Sequence, residues 1–162
     1  MTRTEYNHCV DIYSDNIYRF ILKHCKDKDW ASDVVQDAYV KLWDNVEKIS
    51  ADKAKSYLFA TAHHAMIDDI RKQKVYRNFV DFATPTTPHY EYQYSDTLEI
   101  VNKLLDQMPS DQKSVLMLRD YEGYSYEDIA EITGLSLSQV KVYIFRARTA
   151  LKNKLVKMDN LI

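Results

Sequence analysis

Apolar residues recur at intervals of three and four positions in three stretches of the first half of the chain. These stretches cover residues 6–24, 30–47 and 52–74. Such spacing places apolar side chains on one face of an α-helix, so the pattern predicts three helices. The early part of the third is apolar around much of its circumference, which predicts a central position. The expected buried side chains of the first two helices are Tyr6, Val10, Tyr13, Ile17, Phe20 and Ile21, then Val34, Val35, Ala38, Tyr39, Leu42, Trp43 and Val46.

The helical spacing fails between about residues 78 and 95. This stretch contains two of the three prolines and no Lys or Arg, and we expect it to be an extended linker. Helical spacing then returns, in one helix that ends at Pro109 and in a second that Ser110 caps. The sequence therefore predicts a helical domain at 1–77, a linker at 78–95 and a second helical domain at 96–162. The expected apolar positions of the two later helices are Leu98, Val101, Leu105 and Met108, then Val115, Leu118 and Tyr121.

The segment 123–151 contains both glycines of the chain. Glycine is common just past a helix end because it adopts left-handed backbone conformations without a Cβ penalty. Ser125 is followed three residues later by Asp128, and Ser136 by Gln139, which are capping-box patterns at helix starts. The segment therefore predicts a short helix, a turn at residues 134–136 and a longer helix. This is the shape of a helix-turn-helix, whose second helix enters the DNA major groove.

The second helix of this motif has two contrasting faces. The spacing predicts a buried stripe of Val140, Ile144, Ala147 and Leu151. Residues 138–157 carry six basic side chains and no acidic one, a surface that attracts phosphates and guanine edges. The alternative is a solvated amphipathic helix in a bundle. The outward side chains are Ser138, Lys141, Val142, Phe145 and Arg148, with Gln139 and Arg146 on the flanks.

Composition adds little, but it narrows the class of protein. The 162 residues carry a formal net charge of −2, so attraction to nucleic acid must come from local segregation of charge. Only two glycines and three prolines occur, and strand-like alternation is missing, which predicts an all-α protein. We find no apolar run long enough for a membrane span and no signal-peptide pattern, so we expect a cytoplasmic protein without membrane insertion.

The sequence offers no convincing metal, redox or catalytic site. Cys9 and Cys25 each follow a histidine, but on one helix they would lie roughly 24 Å apart, too far for a shared ion or a disulfide. We therefore expect reduced thiols. The adjacent Asp68 and Asp69 diverge on a helix, and no nucleophile or histidine is spaced to serve them. We predict no cofactor, no metal, no catalytic residues and no enzymatic activity.

Three strings in this order resemble bacterial RNA polymerase sigma factors. They are SDVVQDAYVKLW at 32–43, AKSYLFATAHHAMIDDIRKQK at 54–74 and the helix-turn-helix at 123–151. The first half is similar to sigma region two and the second half to region four. The size and the short linker resemble the extracytoplasmic-function group, and the resemblance covers about nine tenths of the chain. It implies two small helical domains and the promoter-specificity subunit of the polymerase.

The resemblance also implies a contact with the polymerase. In the family, the helix with the DxxQ pattern binds the β′ clamp, and the polar stripe of the second predicted helix lies opposite its apolar stripe. Such a stripe is either solvated or docks another protein, and the match favours docking. The implied core-polymerase-binding residues are Asp33, Gln36, Asp37, Lys41 and Trp43, of which Trp43 is also a candidate for the core.

The third helix and the loop before it are similar to the family's reader of the melted minus-ten promoter element. Capture of a single strand needs a basic groove and aromatic faces. The family pattern is close to ARNxxIDxxR, whereas this chain has AHHAMIDDIR at 62–71, so the two histidines depart from it. Rings at Tyr57 and Phe59 are also near, with core packing as their alternative role. The implied minus-ten DNA-binding residues are Lys53, Lys55, His63, His64, Asp68, Arg71, Lys72 and Lys74.

The helix-turn-helix is similar to the family's reader of the duplex minus-thirty-five element. The implied readers are Lys141, Val142, Phe145 and Arg146, and phosphate contacts would come from the Tyr124–Ser125 helix start and from Arg148. The implied partners are core RNA polymerase, through the β′ clamp and the β flap, promoter DNA as duplex and melted single strand, and an anti-sigma factor. The implied minus-thirty-five DNA-binding set is Ser125, Ser138, Gln139, Lys141, Val142, Phe145, Arg146 and Arg148.

The prediction is therefore a sigma factor that directs transcription initiation by promoter recognition and minus-ten melting, under the control of an anti-sigma protein. Two alternatives remain open. A dimeric helix-turn-helix regulator would need a sensor or receiver half, of which the first half shows no pattern. An all-helical adaptor with merely solvated basic faces would not retard promoter DNA even with core polymerase present.

Overall fold

The structure is a computed structural model, and it describes residues 1–79 and 96–159. Within these ranges all regular structure is helical, which confirms the all-α prediction. The chain divides into two compact units, Met1–His89 and Tyr90–Ile162. Residues 80–95 of the predicted linker lie outside the described ranges. The helices are α1 Arg3–Cys25, α2 Lys28–Asp44, α3 Ala51–Phe79, α4 Asp96–Asp106, α5 Ser110–Asp120, α6 Tyr126–Thr133 and α7 Leu137–Asp159.

The first unit is a bundle in which α1, α2 and α3 each pack against the other two. α1 begins at a capping box, where the Thr2 hydroxyl accepts from the Glu5 amide and the Glu5 carboxylate accepts from the Thr2 amide. It ends at Lys26, which adopts the left-handed conformation with φ 57°. The buried apolar core is Cys9, Ile17, Phe20, Ile21, Ala31, Val34, Val35, Ala38, Tyr39, Leu42, Ala54, Leu58, Phe59, Ala62, Met66 and Ile67.

A hydrogen-bonded group around Tyr39 joins α1 to α2. The Tyr39 hydroxyl donates to the Cys9 carbonyl and accepts from the Ser14 hydroxyl, each at 3.1 Å. The Tyr6 hydroxyl donates to the Tyr39 carbonyl, also at 3.1 Å. Burial raises the pKa of Tyr39 to about 12, because the charged phenolate would lose its hydration. Tyr39 therefore stays a neutral donor at physiological pH.

The predicted buried stripes of α1 and α2 are partly wrong. Trp43 is 47% exposed and packs edge-on against Tyr6, with 5.0 Å between ring centroids. Its neighbour Leu42 is fully buried; adjacent helical positions point about 100° apart, so the two side chains need not share one environment. On α1, Tyr6, Val10 and Tyr13 are only half-buried.

The second unit packs α5 against α6 and α7, with α4 against α7. Two predictions for α5 are wrong. The helix begins at Ser110 itself, after Pro109 at the N-cap, and no side chain caps it. Tyr121 is 52% exposed because it lies beyond the last helical residue, Asp120, where the apolar spacing no longer applies. One cluster of the core joins Leu105, Leu116 and Ala147, with Val101, Met108 and Leu151 packed against it.

None of the helices in the described ranges is both long and apolar enough to cross a membrane.

Candidate nucleic-acid interface

The helix-turn-helix is set by local hydrogen bonds at its three helix ends. The Ser125 hydroxyl accepts from the Asp128 amide at 3.1 Å and caps the start of α6. α6 ends at Gly134, whose φ of 76° is the left-handed conformation and whose amide donates to the Ala130 carbonyl at 2.9 Å. At Ser136 and Gln139 each backbone amide donates to the other's side chain, at 2.9 and 3.1 Å. These bonds fix the turn and start α7 at Leu137.

α7 presents the two faces that its periodicity predicts. Val140, Ile144 and Ala147 are buried where α7 packs against α4, α5 and α6, whereas Leu151, the fourth residue of the predicted stripe, is only half-buried. Phe145 lies on the other side and is 70% exposed, although burying such a ring is normally favourable. An exposed aromatic ring beside cations is available to a ligand. The other side chains of the outward face and its flanks, Ser138, Gln139, Lys141, Val142, Arg146 and Arg148, are exposed as well.

A groove of about 520 Å³ runs along one side of α7, next to the start of α6. Four of its lining residues are Lys141, Phe145, Arg148 and Lys152, which recur at helical spacing and therefore form one strip. Tyr126 of α6 also lines it. The strip combines three cations with an aromatic ring, which suits a polyanion with flat or apolar edges.

Two arginines lie around the start of α6. Arg119 donates to the Tyr124 carbonyl at 2.8 Å, and its guanidinium carbon is 4.9 Å from the centre of the Tyr126 ring. Arg148 of α7 pairs with Asp120, with 2.6 Å between Nη2 and Oδ1. The hydrogen bond to Asp120 raises the pKa of Arg148 above its ordinary value.

Two of the proposed phosphate ligands are thus already engaged. Arg148 binds Asp120, and the Ser125 hydroxyl caps its own helix. Tyr124 at the same helix start is buried, so its ring is not available to DNA.

The third helix carries a second exposed basic surface at its carboxyl-terminal end. His64, Asp68, Arg71 and Val75 follow helical spacing on the face opposite the core, and all four are exposed. Residues 71–76 are exposed without exception. More than one full helical turn is therefore without a buried side chain. Lys72 and Lys74 lie in this turn, and Lys53 is exposed near the start of α3. Lys55 is half-buried, with its Nζ 6.0 Å from the centre of the Tyr13 ring.

His63 does not lie on this surface, so its predicted role in DNA binding is wrong. The side chain is 2% exposed and packs near the Phe20 ring, with 6.2 Å between centroids. Burial, and secondarily the positive charges of His64 and Arg71, lowers its pKa to about 4. His63 is therefore a neutral core side chain. Phe59 is fully buried too, and Tyr57 is half-buried, within 3.4 Å of the Asn45 amide nitrogen.

α2 presents a mixed polar and apolar surface opposite its core stripe. Asp33, Gln36, Asp37 and Lys41 are all exposed. Val40 lies on the same face and is 57% exposed, and the sequence analysis missed it. The signal was present, since Val40 follows Gln36 by four positions and Asp33 by seven. With Trp43 at its end, the surface has both charges and apolar area, as protein-binding surfaces do.

The two cysteines are free thiols; Cys9 is buried and Cys25 is half-buried. Among the described residues, no group of three or more His, Cys, Asp or Glu side chains is placed to hold a metal ion.

A helical unit with an exposed basic helix end, followed by a second unit with a helix-turn-helix, is typical of a DNA-binding protein. Comparison with protein families gives its class. Residues 9–75 match sigma-70 region 2, and residues 98–151 match sigma-70 region 4.

Individual relatives agree with this class. The RNA polymerase sigma factor SigV of Bacillus subtilis is 31% identical over 93% of this chain and 91% of that protein. The ECF RNA polymerase sigma-E factor of Haemophilus influenzae is 29% identical over 93% and 87%. Among solved structures, the sigma factor RpoE of Bartonella quintana, crystallised with the anti-sigma factor NepR, is 25% identical over 95% of this chain and 98% of that chain, with a TM-score of 0.78.

The chain belongs to the RNA polymerase sigma factors, and among them to the extracytoplasmic-function group. It acts in transcription initiation, with core RNA polymerase and promoter DNA as partners. The free-standing regulator and the adaptor are therefore set aside.

Proposed function

We propose that the two units read two different forms of promoter DNA: α7 reads the duplex minus-thirty-five element and α3 reads the melted minus-ten element. One observation carries this division. The outward face of α7, with its exposed Phe145 and its cations, and the exposed basic end of α3 lie on separate compact units. We propose the boundaries 1–77, 78–95 and 96–162 for the two domains and the linker.

On α7, the side chains suit the edges of base pairs in the major groove. Lys141 and Arg146 are exposed donors that match the acceptors of guanine, and Val142 and Phe145 offer apolar contact to thymine methyl groups. Ser138 and Gln139 lie at the start of the helix, which is the end that enters the groove in this motif. Ser125 and Arg148 would contact the phosphates.

On α3, the exposed end suits a flexible single strand. Arg71, Lys72 and Lys74 would follow the phosphates, and the ring of His64 is exposed for stacking. Lys53, Lys55 and Asp68 complete the proposed surface, and His63 is excluded from it.

On α2, we propose that Asp33, Gln36, Asp37, Lys41 and Trp43 bind the β′ clamp of the polymerase, with Val40 as an added apolar contact. Acidic side chains around an exposed tryptophan are a common arrangement at protein interfaces. The second unit would contact the β flap.

Regulation by an anti-sigma factor is proposed from the relatives. The Bartonella quintana sigma factor was crystallised with such a partner. We also propose that the protein catalyses no reaction itself, needs no cofactor and works in the cytoplasm, where core polymerase is found.

The test is run-off transcription by purified core polymerase on fragmented genomic DNA of the source organism, with and without the full chain. The expected result is a small set of discrete transcripts that require the chain. Matched variants sharpen the test, since Phe145→Ala and Arg71→Ala should each remove those transcripts. Unchanged transcription with the chain added would contradict the proposal.

A further inference from the structure

We infer that Asp120 competes with DNA phosphate for the guanidinium of Arg148 and thereby lowers the sequence-independent affinity of the second unit for duplex DNA. This inference rests on the proposed function of α7. It assigns a role in DNA affinity to an acidic residue that belongs to none of the surfaces above.

The Arg148–Asp120 pair has the two-point geometry in which a guanidinium also binds phosphate. Arg148 Nη2 donates to Asp120 Oδ1 at 2.6 Å, and Nε donates to Oδ2 at 3.4 Å. A carboxylate in this two-point arrangement occupies the same donors that a phosphate would use. The side chains of Arg148 and Asp120 are 49% and 42% exposed, so a phosphate from solvent can reach the guanidinium.

The location of Arg148 places this exchange next to the reading surface. Arg148 lies in the strip with Lys141, Phe145 and Lys152 that lines the groove beside Tyr126. Residues 138–157 contain no acidic side chain, so Asp120 brings a negative charge from α5 to a strip of cations. It therefore both occupies Arg148 and repels an approaching phosphate.

The negative charge of Asp120 contributes little to the stability of the fold. Asp120 is the last residue of α5, where the helix dipole disfavours a negative charge. Exposed ion pairs contribute little to folding, since solvent screens them and two side chains lose freedom. The main effect of the carboxylate is therefore on the charge that α7 presents to a ligand.

The test measures binding of holoenzyme, assembled from core polymerase and the full chain, to two duplex probes over a series of KCl concentrations. One probe is the upstream half of a promoter that the wild-type holoenzyme transcribes, and the other is a random-sequence duplex of equal length. Glu131→Gln is the matched control, because it removes the same charge from an exposed position of α6.

Asp120→Asn should bind both probes roughly two- to fivefold tighter than Glu131→Gln. Its plot of log affinity against log salt concentration should be steeper by about one, since one more cation meets a phosphate. With Arg148→Ala present, Asp120→Asn should act no differently from Glu131→Gln. If Asp120→Asn folds and binds no tighter than the control, or binds more weakly, the pair is only a structural contact and the inference is overturned.

A replacement variant and a comparison of the two probes distinguish failure of this inference from failure of the proposed function. Asp120→Ser replaces the asparagine variant if the latter loses helix content. If wild-type holoenzyme does not prefer the promoter half to the random duplex, the proposed reading by α7 fails. The effect of Asp120 on the random duplex is measured independently of that preference.

Discussion

α7 and α3 are both long helices with a basic end, yet their buried faces differ in width. The buried side chains of α7 form a narrow stripe, with Val140, Ile144 and Ala147 at helical spacing. α3 packs against both α1 and α2, and its buried residues include the neighbours Leu58 and Phe59 and the neighbours Ala62 and His63. A helix whose buried side chains form a narrow stripe shows its outer face in its sequence, whereas a helix with a wide buried arc does not.

This difference in width determines how well the sequence predicts which side chains of a helix are exposed. On α7 the predicted outward side chains are all exposed. On α3 the resemblance to the family's minus-ten reader, and not periodicity, placed His63 and His64 together on the DNA surface, although only His64 is exposed. The wide core arc of α3 takes in a histidine, which a purely polar reading of that residue does not anticipate.

The largest expected effect distinguishes a buried phenylalanine of α3 from an exposed phenylalanine of α7. Phe59→Ala in α3 should lower the free energy of unfolding of the first unit by about 3–5 kcal/mol, because Phe59 is fully buried. Phe145→Ala in α7 should change stability by less than about 0.5 kcal/mol and still weaken binding to the minus-thirty-five duplex. Both tryptophans lie in the first unit, so tryptophan fluorescence during urea unfolding reports on that unit.

The contrary outcome for this pair is clear. If Phe145→Ala destabilises the second unit in thermal unfolding as strongly as a buried aromatic would, Phe145 is a packing residue and not a reading residue.

The next effect is the pH dependence that His63 gives to α3. Its pKa is lowered from 6.5 to about 4 in the folded unit, so the unfolded chain binds more protons between these values. Stability is therefore fully present above pH 6.5 and is lost as the pH falls towards 4, by on the order of 3 kcal/mol. Urea unfolding at several pH values, followed by tryptophan fluorescence, measures the loss.

His63→Gln and His63→Leu should each remove this part of the pH dependence. His64→Gln is the control at the exposed neighbouring position and should keep most of the wild-type dependence, because burial is the main cause of the lowered pKa of His63 and the charge of His64 is secondary. Equal pH profiles for the His63 and His64 variants would show that His63 is not the buried titrating group.

A smaller effect concerns how α7 reads DNA. Alanine at Lys141 or Arg146 should cost roughly 1–3 kcal/mol and relax the preference at one base pair if the side chain reads a base. It should instead weaken all sequences alike, and reduce the salt slope by about one, if the side chain contacts a phosphate. Transcription from a promoter library by the variant holoenzymes separates the two. No change in transcription with either variant would mean that α7 does not read DNA with this face.

The smallest effect on the fold is expected on α2. Asp33→Arg combined with Asp37→Arg should leave stability within about 0.5 kcal/mol, since both side chains are exposed. The same double variant should bind core polymerase more weakly, because it reverses two charges on the proposed docking surface. Glu47→Arg at an exposed position beyond α2 is the control for charge reversal. Wild-type core affinity in the folded double variant would remove these residues from the contact.

What could be predicted from the sequence was mostly what local bonds decide. The capping box at Ser136, the left-handed Gly134 and the outward face of α7 depend on residues within one or two helical turns of each other. The similarity of three strings to one family supplied the function. The linker prediction lies largely outside the described residues.

The remaining features depend on contacts between distant residues. The Arg148–Asp120 pair joins positions 28 residues apart, and no spacing rule indicates it. Trp43 is exposed beside the buried Leu42, and Val40 is exposed on a face that the family pattern describes as polar. Such outcomes follow from how the helices pack, which periodicity does not specify.

The most direct test of the two reading surfaces uses two variants and two probes. Holoenzymes with Arg71→Ala in α3 or Phe145→Ala in α7 are titrated with a single-stranded oligonucleotide of the minus-ten element and with a duplex of the minus-thirty-five element from one transcribed promoter. The account predicts a crossed result, in which Arg71→Ala weakens only the single-stranded probe and Phe145→Ala weakens only the duplex. Equal losses on both probes for each variant would contradict separate reading by α3 and α7.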